Sequence, residues 1–178
     1  KMPPNPGFIE EQDLESYKAI KRSPICGKFR TLKICTSSPP SSGGAQIMIA
    51  AIYNHLINEN SSFDDKIAAF VDAQRLAYAD RDHYFGDPDE IDVPIESLLS
   101  PKYLEHRSKE KFQPNQPSKP GDPGLILNNI SISSIFGEDK SEEANGTTHL
   151  SIIDNQGNAV SMTATIEGPF GTQRWVAG

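Results

Sequence analysis

The chain has 178 residues, a net charge of −7 and an apolar fraction of 36%. This length suits one domain with a sizeable core. The negative charge argues against general binding to nucleic acid or anionic membranes, because both require clustered Lys and Arg, and no apolar run approaches the roughly 20 residues of a transmembrane helix.

The chain opens with a predicted short helix followed by a pair of strands. The stretch "NPGFIEEQDLESYKAI" has turn residues and then the apolar spacing of one helix. The stretch "PICGKFRTLKICTSSPP" predicts two strands that end at the proline pair. Its two cysteines, Cys26 and Cys35, match no zinc or redox motif. They could form a disulfide across a hairpin or lie buried as two thiols, and the sequence leaves both possibilities open.

Three helices are predicted next. "SSGGAQIMIAAIYNHLINEN" is the first, with Ser41 or Ser42 as a capping residue. Its "PPSSGG" start lacks the Lys of a phosphate-binding loop, so a capped helix start is favoured. The second helix begins at Ser62, with Asp65 in capping-box position. The third lies in "IESLLSPKYLEHRSKE" and breaks at Pro101. The inner face of the second helix is predicted to contain Ile67, Phe70, Val71, Leu76 and Ala77.

A charged cluster, Asp80 to His83, closes the second predicted helix. A metal or catalytic site is one interpretation of the sequence "DRDH". A network of salt bridges at the helix end is the favoured one, because no further ligand spacing accompanies these residues.

Residues from about 109 to 146 predict a mobile linker. "FQPNQPSKPGDPG" is rich in turn residues, and "GEDKSEEANG" is acidic and lacks large apolar side chains.

The pattern then changes to period two. "THLSIID" and "AVSMTATI" alternate on either side of the turn sequence "NQGN", which predicts a β-hairpin. One hairpin is marginally stable alone, so we expect further strands to pair with it. Because "RWVAG" still has core-like residues, we also expect the natural protein to continue beyond Gly178.

The hairpin sequence "TTHLSIIDNQGNAVSMTATIEGPFGT" resembles the gamma-glutamyltransferase family, also called gamma-glutamyltranspeptidase or glutathione hydrolase. "DLESYK", "PPSSGG" and "AYADRDHYFGDPD" are similar to the same family and occur in the same order. The resemblance implies an α+β fold, the αββα sandwich of the N-terminal nucleophile hydrolases, incomplete in this chain. It identifies residues 1–146 as the C-terminal part of the large subunit and residues 147–178 as the start of the small subunit.

The resemblance also implies a chemistry for the start of the hairpin. The precursor would cut itself between Gly146 and Thr147, and Thr147 would then carry both the nucleophilic hydroxyl and, in its free α-amine, the base. Thr165 matches the threonine that orients the nucleophile, and Glu167 matches the position that contacts the α-amino group of the substrate. By its residue type alone, His149 is a candidate general base, but a structural hydrogen-bonding role is favoured.

The resemblance implies no metal or organic cofactor. The expected partners are gamma-glutamyl donors such as glutathione, acceptor amino acids, peptides or water, and the remaining segments of the two subunits. It also implies an exported location: periplasmic, extracellular or at the cell surface. A cephalosporin acylase or a poly-gamma-glutamate processing enzyme on the same scaffold is an alternative, and so is a non-catalytic homologue.

Overall fold

A computed structural model describes residues 7–110, 115–137 and 146–166, together with Gly168 and Gly171. It combines helices with antiparallel strand pairs, so the α+β class is confirmed. The chain divides into two compact units, Lys21–Asp139 and a second one made by the two ends, Lys1–Ile20 and Lys140–Gly178. The helices are α1 (Glu11–Ser16), α2 (Gly43–Leu56), α3 (Phe63–Tyr84), α4 (Ile95–Leu98), α5 (Pro101–Ser108) and α6 (Pro123–Asn128), and the strands are β1 (Ile25–Phe29), β2 (Leu32–Thr36), β3 (Thr147–Ile153) and β4 (Ala159–Thr165).

The first hairpin, β1–β2, packs its inner face on α2. A Cβ added to Gly27 would lie 2.2 Å from the Ile47 side chain, so only glycine permits this approach. Cys26 and Cys35 are paired directly across the two strands and form a disulfide. The structure therefore decides between the two possibilities that the sequence left open.

The core of the Lys21–Asp139 unit lies between α2, α3, α5 and the short α4. Small residues of α3, Ala69, Ala73 and Ala77, are buried and allow close packing against α2. The predicted inner face of α3 is partly wrong, because Ile67, Phe70 and Val71 are about half exposed. The closely packed cluster contains Met48, Ile52, Ala73, Leu76, Ala77, Tyr84, Leu98, Tyr103 and Leu104.

The predicted helix starts have different outcomes. The capping box of α3 is confirmed, because the Ser62 hydroxyl accepts a hydrogen bond from the Asp65 amide at 3.1 Å while Asp65 accepts from the Ser62 amide at 3.0 Å. The side-chain cap predicted for α2 is wrong, since Ser42 occupies the cap position without a side-chain bond. Ser41 instead hydrogen-bonds the Ser37 hydroxyl. The break at Pro101 is confirmed, because this proline is the first residue of α5.

A buried ion pair connects α3 to α5. Asp80 and Arg107 are both fully buried, with Arg107 Nη2 3.0 Å from Asp80 Oδ1. The same carboxylate accepts hydrogen bonds from the Tyr103 hydroxyl at 2.8 Å and from the Gly121 amide at 2.7 Å. Both carboxylate oxygens of Asp80 thus accept hydrogen bonds, as a buried charge requires.

The prediction of a mobile linker after α5 is wrong for residues 115–137. Residues 115–137 contain α6 and a short 3-10 helix, Ser133–Ile135, and Gly121 and Pro123 are buried. The Tyr84 hydroxyl donates to the Gly121 carbonyl at 2.6 Å, and Arg107 donates to the Lys119 carbonyl at 3.0 Å. The turn-rich sequence is therefore held by long-range polar contacts that local composition does not reveal. The rest of the predicted linker, residues 111–114 and 138–145, lies outside the described residues.

The "DRDH" cluster is structural, but it is only partly the predicted local network. Arg81 and Asp82 form an ion pair at 2.9 Å, as expected for a helix end. Asp80 points instead into the buried pair with Arg107, and His83 Nε2 lies 2.9 Å from both the carbonyl and the hydroxyl oxygen of Ser133. Within the described ranges, no group of three or more His, Cys, Asp or Glu is arranged to hold a metal ion.

Candidate active site

The second hairpin, β3–β4, presents two chemically different faces. Thr147 pairs with Thr165 and Ile153 pairs with Ala159, so the register is fixed along the whole ladder. Because side chains alternate along a strand, every second residue belongs to the same face. The mainly polar face contains Thr147, His149, Ser151, Ser161, Thr163 and Thr165, with Ile153 and Ala159 next to the turn, and the mainly apolar face contains Thr148, Leu150, Ile152, Val160, Met162 and Ala164.

The two threonines named as catalytic by the resemblance meet at the open end of this hairpin. The Thr147 hydroxyl donates a hydrogen bond to the Thr165 hydroxyl oxygen at 3.0 Å. Both side chains are exposed, and so is Gly146, which comes directly before the strand. The hydrogen bond therefore connects the two hydroxyl groups next to the Gly146–Thr147 peptide bond.

His149 links hydroxyl groups on the same face. Its Nδ1 lies 2.8 Å from the Thr163 oxygen, and its Nε2 lies 3.0 Å from the Ser151 oxygen and 3.4 Å from the Ser161 oxygen. These contacts agree with the favoured structural role, since both ring nitrogens face hydroxyl groups. The resemblance assigns no role to these three hydroxyl residues, although their period-two spacing already places them on the same face as Thr147.

The turn between the strands is closed by Asp154. Its carboxylate accepts hydrogen bonds from the amides of Gln156 and Asn158, and Gly157 has a φ of 85°, which favours glycine. The side chain and backbone of Asn158 lower the pKa of Asp154 below its ordinary value. The turn therefore fixes the register that places Thr165 opposite Thr147.

The remaining predicted site residue, Glu167, lies outside the described residues. The described part of the chain thus brings together Gly146, Thr147 and Thr165, and the proposed substrate contact remains a prediction. No helix among the described residues is long and apolar enough to cross a membrane.

Comparison with known proteins gives consistent matches over the chain. The family model described as gamma-glutamyltranspeptidase matches residues 1–178. A glutathione hydrolase proenzyme of Escherichia coli is 32% identical over 97% of this chain. An "Acylase ACY 1 proenzyme" of Pseudomonas sp. (strain V22) is 30% identical over 96% of this chain.

A solved structure shows the same relationship. The crystal structure of Helicobacter pylori gamma-glutamyltranspeptidase is 32% identical and aligns with a TM-score of 0.52, covering 67% of this chain and 34% of that one. The chain spans only 28% of the length of the Escherichia coli protein and 28% of the acylase. The family-model match over the whole chain and the sequence identity to curated relatives show that this chain belongs to the gamma-glutamyltranspeptidase family.

Proposed function

We propose that the protein of which this chain is part is a glutathione hydrolase and gamma-glutamyl transferase that activates itself by cutting the bond between Gly146 and Thr147. The observation that carries the proposal is the hydrogen bond between the Thr147 and Thr165 hydroxyl groups, next to an exposed Gly146. The names of the relatives, glutathione hydrolase proenzyme among them, support the substrate and the existence of a precursor.

The first step of the proposal is self-cleavage. The Thr147 oxygen attacks the Gly146 carbonyl carbon, the C–N bond breaks as the hydroxyl proton passes to the Thr147 nitrogen, and an ester joins the two residues. Water then opens the ester, which leaves Gly146 with a carboxylate and Thr147 with a free α-amine. Gly146 has no Cβ, so its carbonyl is open to attack.

The second step uses the new terminus. The Thr147 hydroxyl attacks the gamma-carbonyl of the donor, and its α-amine takes the proton, because a free α-amine titrates near pH 8. The gamma-amide bond of the donor breaks, and its amine leaves with that proton. The gamma-glutamyl group of the acyl-threonine ester is then transferred to water or to an acceptor amine, which restores the Thr147 hydroxyl. Before cleavage the same nitrogen is an amide, which has no basic lone pair, so we expect the uncut chain to be inactive.

Glu167 completes the proposed substrate contact. Its carboxylate would bind the α-ammonium group of the gamma-glutamyl donor through a charge-assisted hydrogen bond. We also propose that the hairpin is part of a larger αββα sandwich. The half-exposed apolar side chains of Ile152, Val160 and Met162 support this, since a sheet normally covers such a face.

We propose that the protein is exported. The Cys26–Cys35 disulfide supports this location, because disulfides persist in oxidising compartments. Separation of cell and medium or periplasmic fractions, followed by detection of the protein, tests the proposal; recovery only from the reducing cytosol would contradict it.

An acylase on the same scaffold is the second candidate, favoured by the Pseudomonas relative. The full-length protein should be assayed with a chromogenic gamma-glutamyl amide and with a matched donor that lacks the α-amino group. We expect turnover of the first donor, loss of that turnover in Thr147→Ala, and partial retention in Thr147→Ser. Preference for the donor without the amine would favour the acylase, and no Thr147-dependent turnover of either donor would favour a non-catalytic homologue.

A further inference from the structure

The Cys26–Cys35 disulfide lies on the outer face of the first hairpin. The alternate residues of β1 and β2 that face α2 are partly buried apart from Leu32 at the turn end, whereas both cysteines, on the other face, are exposed. Access to the sulfur atoms is the first requirement for thiol–disulfide exchange. The candidate active site does not use this disulfide, which belongs to the Lys21–Asp139 unit.

The surroundings of the disulfide are strongly basic. Lys28 and Lys33 are paired directly across the strands, two residues from the cysteine pair, so all four side chains share the outer face. Both lysines are exposed, and neither forms an ion pair among the described residues. Like charges placed directly opposite each other destabilise a hairpin. An anion bound between the two lysines would relieve this repulsion.

The sequence around the hairpin shows the same bias. From Lys21 to Thr36 the basic residues are Lys21, Arg22, Lys28, Arg30 and Lys33, and the segment has no Asp or Glu, although the whole chain has a net charge of −7. Of these, Arg22 forms an ion pair with Asp89. Positive charge next to a cysteine stabilises its thiolate, which makes it a better leaving group.

We propose that Cys26, Cys35, Lys28 and Lys33 form a thiol–disulfide exchange site for small anionic thiols of the glutathione type. The choice of glutathione rests on the proposed function, because that function brings glutathione to this protein. Glutathione carries two carboxylates and one ammonium group at neutral pH, so its net charge is complementary to the two lysines.

The exchange has two balanced steps. A small-molecule thiolate attacks one sulfur of the Cys26–Cys35 bond, a mixed disulfide forms, and the other cysteine leaves as a thiolate beside the lysines. A second thiolate attacks the mixed disulfide and releases the small-molecule disulfide together with the second cysteine. Two small thiols are oxidised, the protein disulfide is reduced, and the two protons of the attacking thiols are transferred to the two cysteines.

The hairpin is suited to reversible exchange because its packing does not depend on the sulfur bridge alone. Gly27 lies against Ile47 on α2, and the backbone ladder pairs every residue from Ile25 to Phe29 with β2. Reduction therefore changes the outer face while the inner face stays packed.

The test uses the full-length protein with Thr147→Ala, so that gamma-glutamyl cleavage does not convert glutathione into cysteinylglycine, a different thiol. The protein is incubated with glutathione or with neutral 2-mercaptoethanol at low ionic strength. Free cysteines are then alkylated, and the Cys26 and Cys35 peptides are quantified by mass spectrometry. We expect both thiols to reduce the disulfide and glutathione to give a mixed disulfide at one of these cysteines.

The lysines are tested by Lys28→Gln combined with Lys33→Gln. We expect the ratio of the glutathione rate to the 2-mercaptoethanol rate to fall by roughly three- to tenfold, and the difference to shrink in high salt. Lys102→Gln, an exposed lysine on α5, should leave the ratio unchanged. A ratio unaffected by the double substitution, or a disulfide that glutathione does not reduce, would overturn the proposal. The two proposals can fail separately. If the disulfide exchanges in Thr147→Ala but the unsubstituted protein releases no gamma-glutamyl groups, the proposed function is overturned and this proposal stands.

Discussion

Thr165 acts on Thr147 through one hydrogen bond, and this is the contact that distinguishes the site at the scale of single residues. The bond joins the two hydroxyl groups at 3.0 Å across the first residue pair of the hairpin. Thr163 lies on the same face but contacts His149 instead. Under the proposed function, Thr165 therefore positions the nucleophile, whereas Thr163 supports the strand pair through His149.

Thr165→Ala should slow both self-cleavage and gamma-glutamyl release by roughly two- to tenfold, the value of one neutral hydrogen bond. Thr165→Ser keeps a hydroxyl group and should retain most of the rate. Thr163→Ala serves as the matched control on the same strand face. Rate constants from a cleavage time course and from donor turnover measure the effect; an equal loss in Thr163→Ala would show that hairpin integrity, not positioning, is responsible.

Glu167→Ala should weaken the binding of gamma-glutamyl donors by roughly 1.5–3 kcal/mol, the range for hydrogen bonds to charged groups. Self-cleavage should be spared, because it involves no substrate ammonium. Donor inhibition constants and the cleavage time course are the two measurements. Unchanged donor affinity in the variant would remove Glu167 from the site.

At the scale of elements, the buried Asp80–Arg107 pair is the central connection between α3 and α5. Both side chains are fully buried, and the Gly121 amide and the Tyr103 hydroxyl donate to the same carboxylate. Burial raises the pKa of Asp80, while the Arg107 charge opposes that change. Removing one partner leaves an unpaired charge in the core, which is costly.

Asp80→Ala should lower the free energy of unfolding of the Lys21–Asp139 unit by about 3–5 kcal/mol. Asp82→Ala removes a neighbouring carboxylate that pairs with Arg81 near the surface and should cost less than about 1 kcal/mol. Urea unfolding followed by amide exchange in α3 and α5 gives both values. Similar losses in the two variants would contradict the assigned role of the buried pair.

A second connection, Asp122, organises the segment around α6. Its side chain accepts hydrogen bonds from the amides of Leu125 and Ile132 and from the Ser131 hydroxyl. Burial pushes the pKa of Asp122 upward, but bonds from Ser131 and from backbone amides outweigh it, so the net pKa lies below the ordinary value. A lowered pKa in the folded state means stabilisation above the unfolded pKa of about 3.9, lost as the pH falls through the folded pKa.

Asp122→Ala should therefore destabilise this segment by about 1 kcal/mol at neutral pH, the usual value of a helix cap. The difference from the unsubstituted protein should begin to shrink as the pH falls below about 4 and should disappear once the pH is below the folded pKa of Asp122. Amide hydrogen exchange at Leu125 and Ile132, followed from neutral pH into acid, measures the difference in local stability. A difference that persists unchanged in acid would show that the carboxylate charge is not the stabilising feature.

Sequence patterns predicted the elements that local signals define and missed those that long-range contacts define. The capping box at Ser62, the break at Pro101 and the β3–β4 alternation are local, and all three are confirmed. The linker prediction failed at Gly121 because its anchor, Asp80, lies 41 residues earlier in the chain. The composition of residues 115–137 gives no indication of that contact. Thr147 and Thr165 were identified by resemblance, and only the hairpin register shows that they meet.

At the scale of the whole molecule, the chain matches only a minor part of the length of its relatives. It spans 28% of the length of the Escherichia coli relative. The resemblance implies that the arginine for the substrate carboxylate lies upstream of this stretch, and that the acidic residue, the serine pair and the oxyanion-hole glycines lie downstream. Loss of one oxyanion donor alone typically costs about 10²–10³-fold in rate.

A polypeptide of only Lys1–Gly178 should thus show no measurable gamma-glutamyl release. The exposed apolar side chains of Ile152, Val160 and Met162 should also make it prone to associate. A chromogenic donor assay and size-exclusion chromatography check the two expectations. Turnover that disappears with Thr147→Ala would show that the essential groups are within these residues.

Self-cleavage at Gly146–Thr147 is the central claim, and N-terminal sequencing of the purified full-length protein tests it most directly. We expect two polypeptides, the smaller beginning Thr-Thr-His-Leu-Ser, and we expect Thr147→Ala to remain a single chain. If the same new terminus position appears in the Thr147→Ala protein, another protease makes the cut and the account is contradicted. A single uncut chain that still releases gamma-glutamyl groups would contradict it as well, because its Thr147 nitrogen would be an amide and not a base.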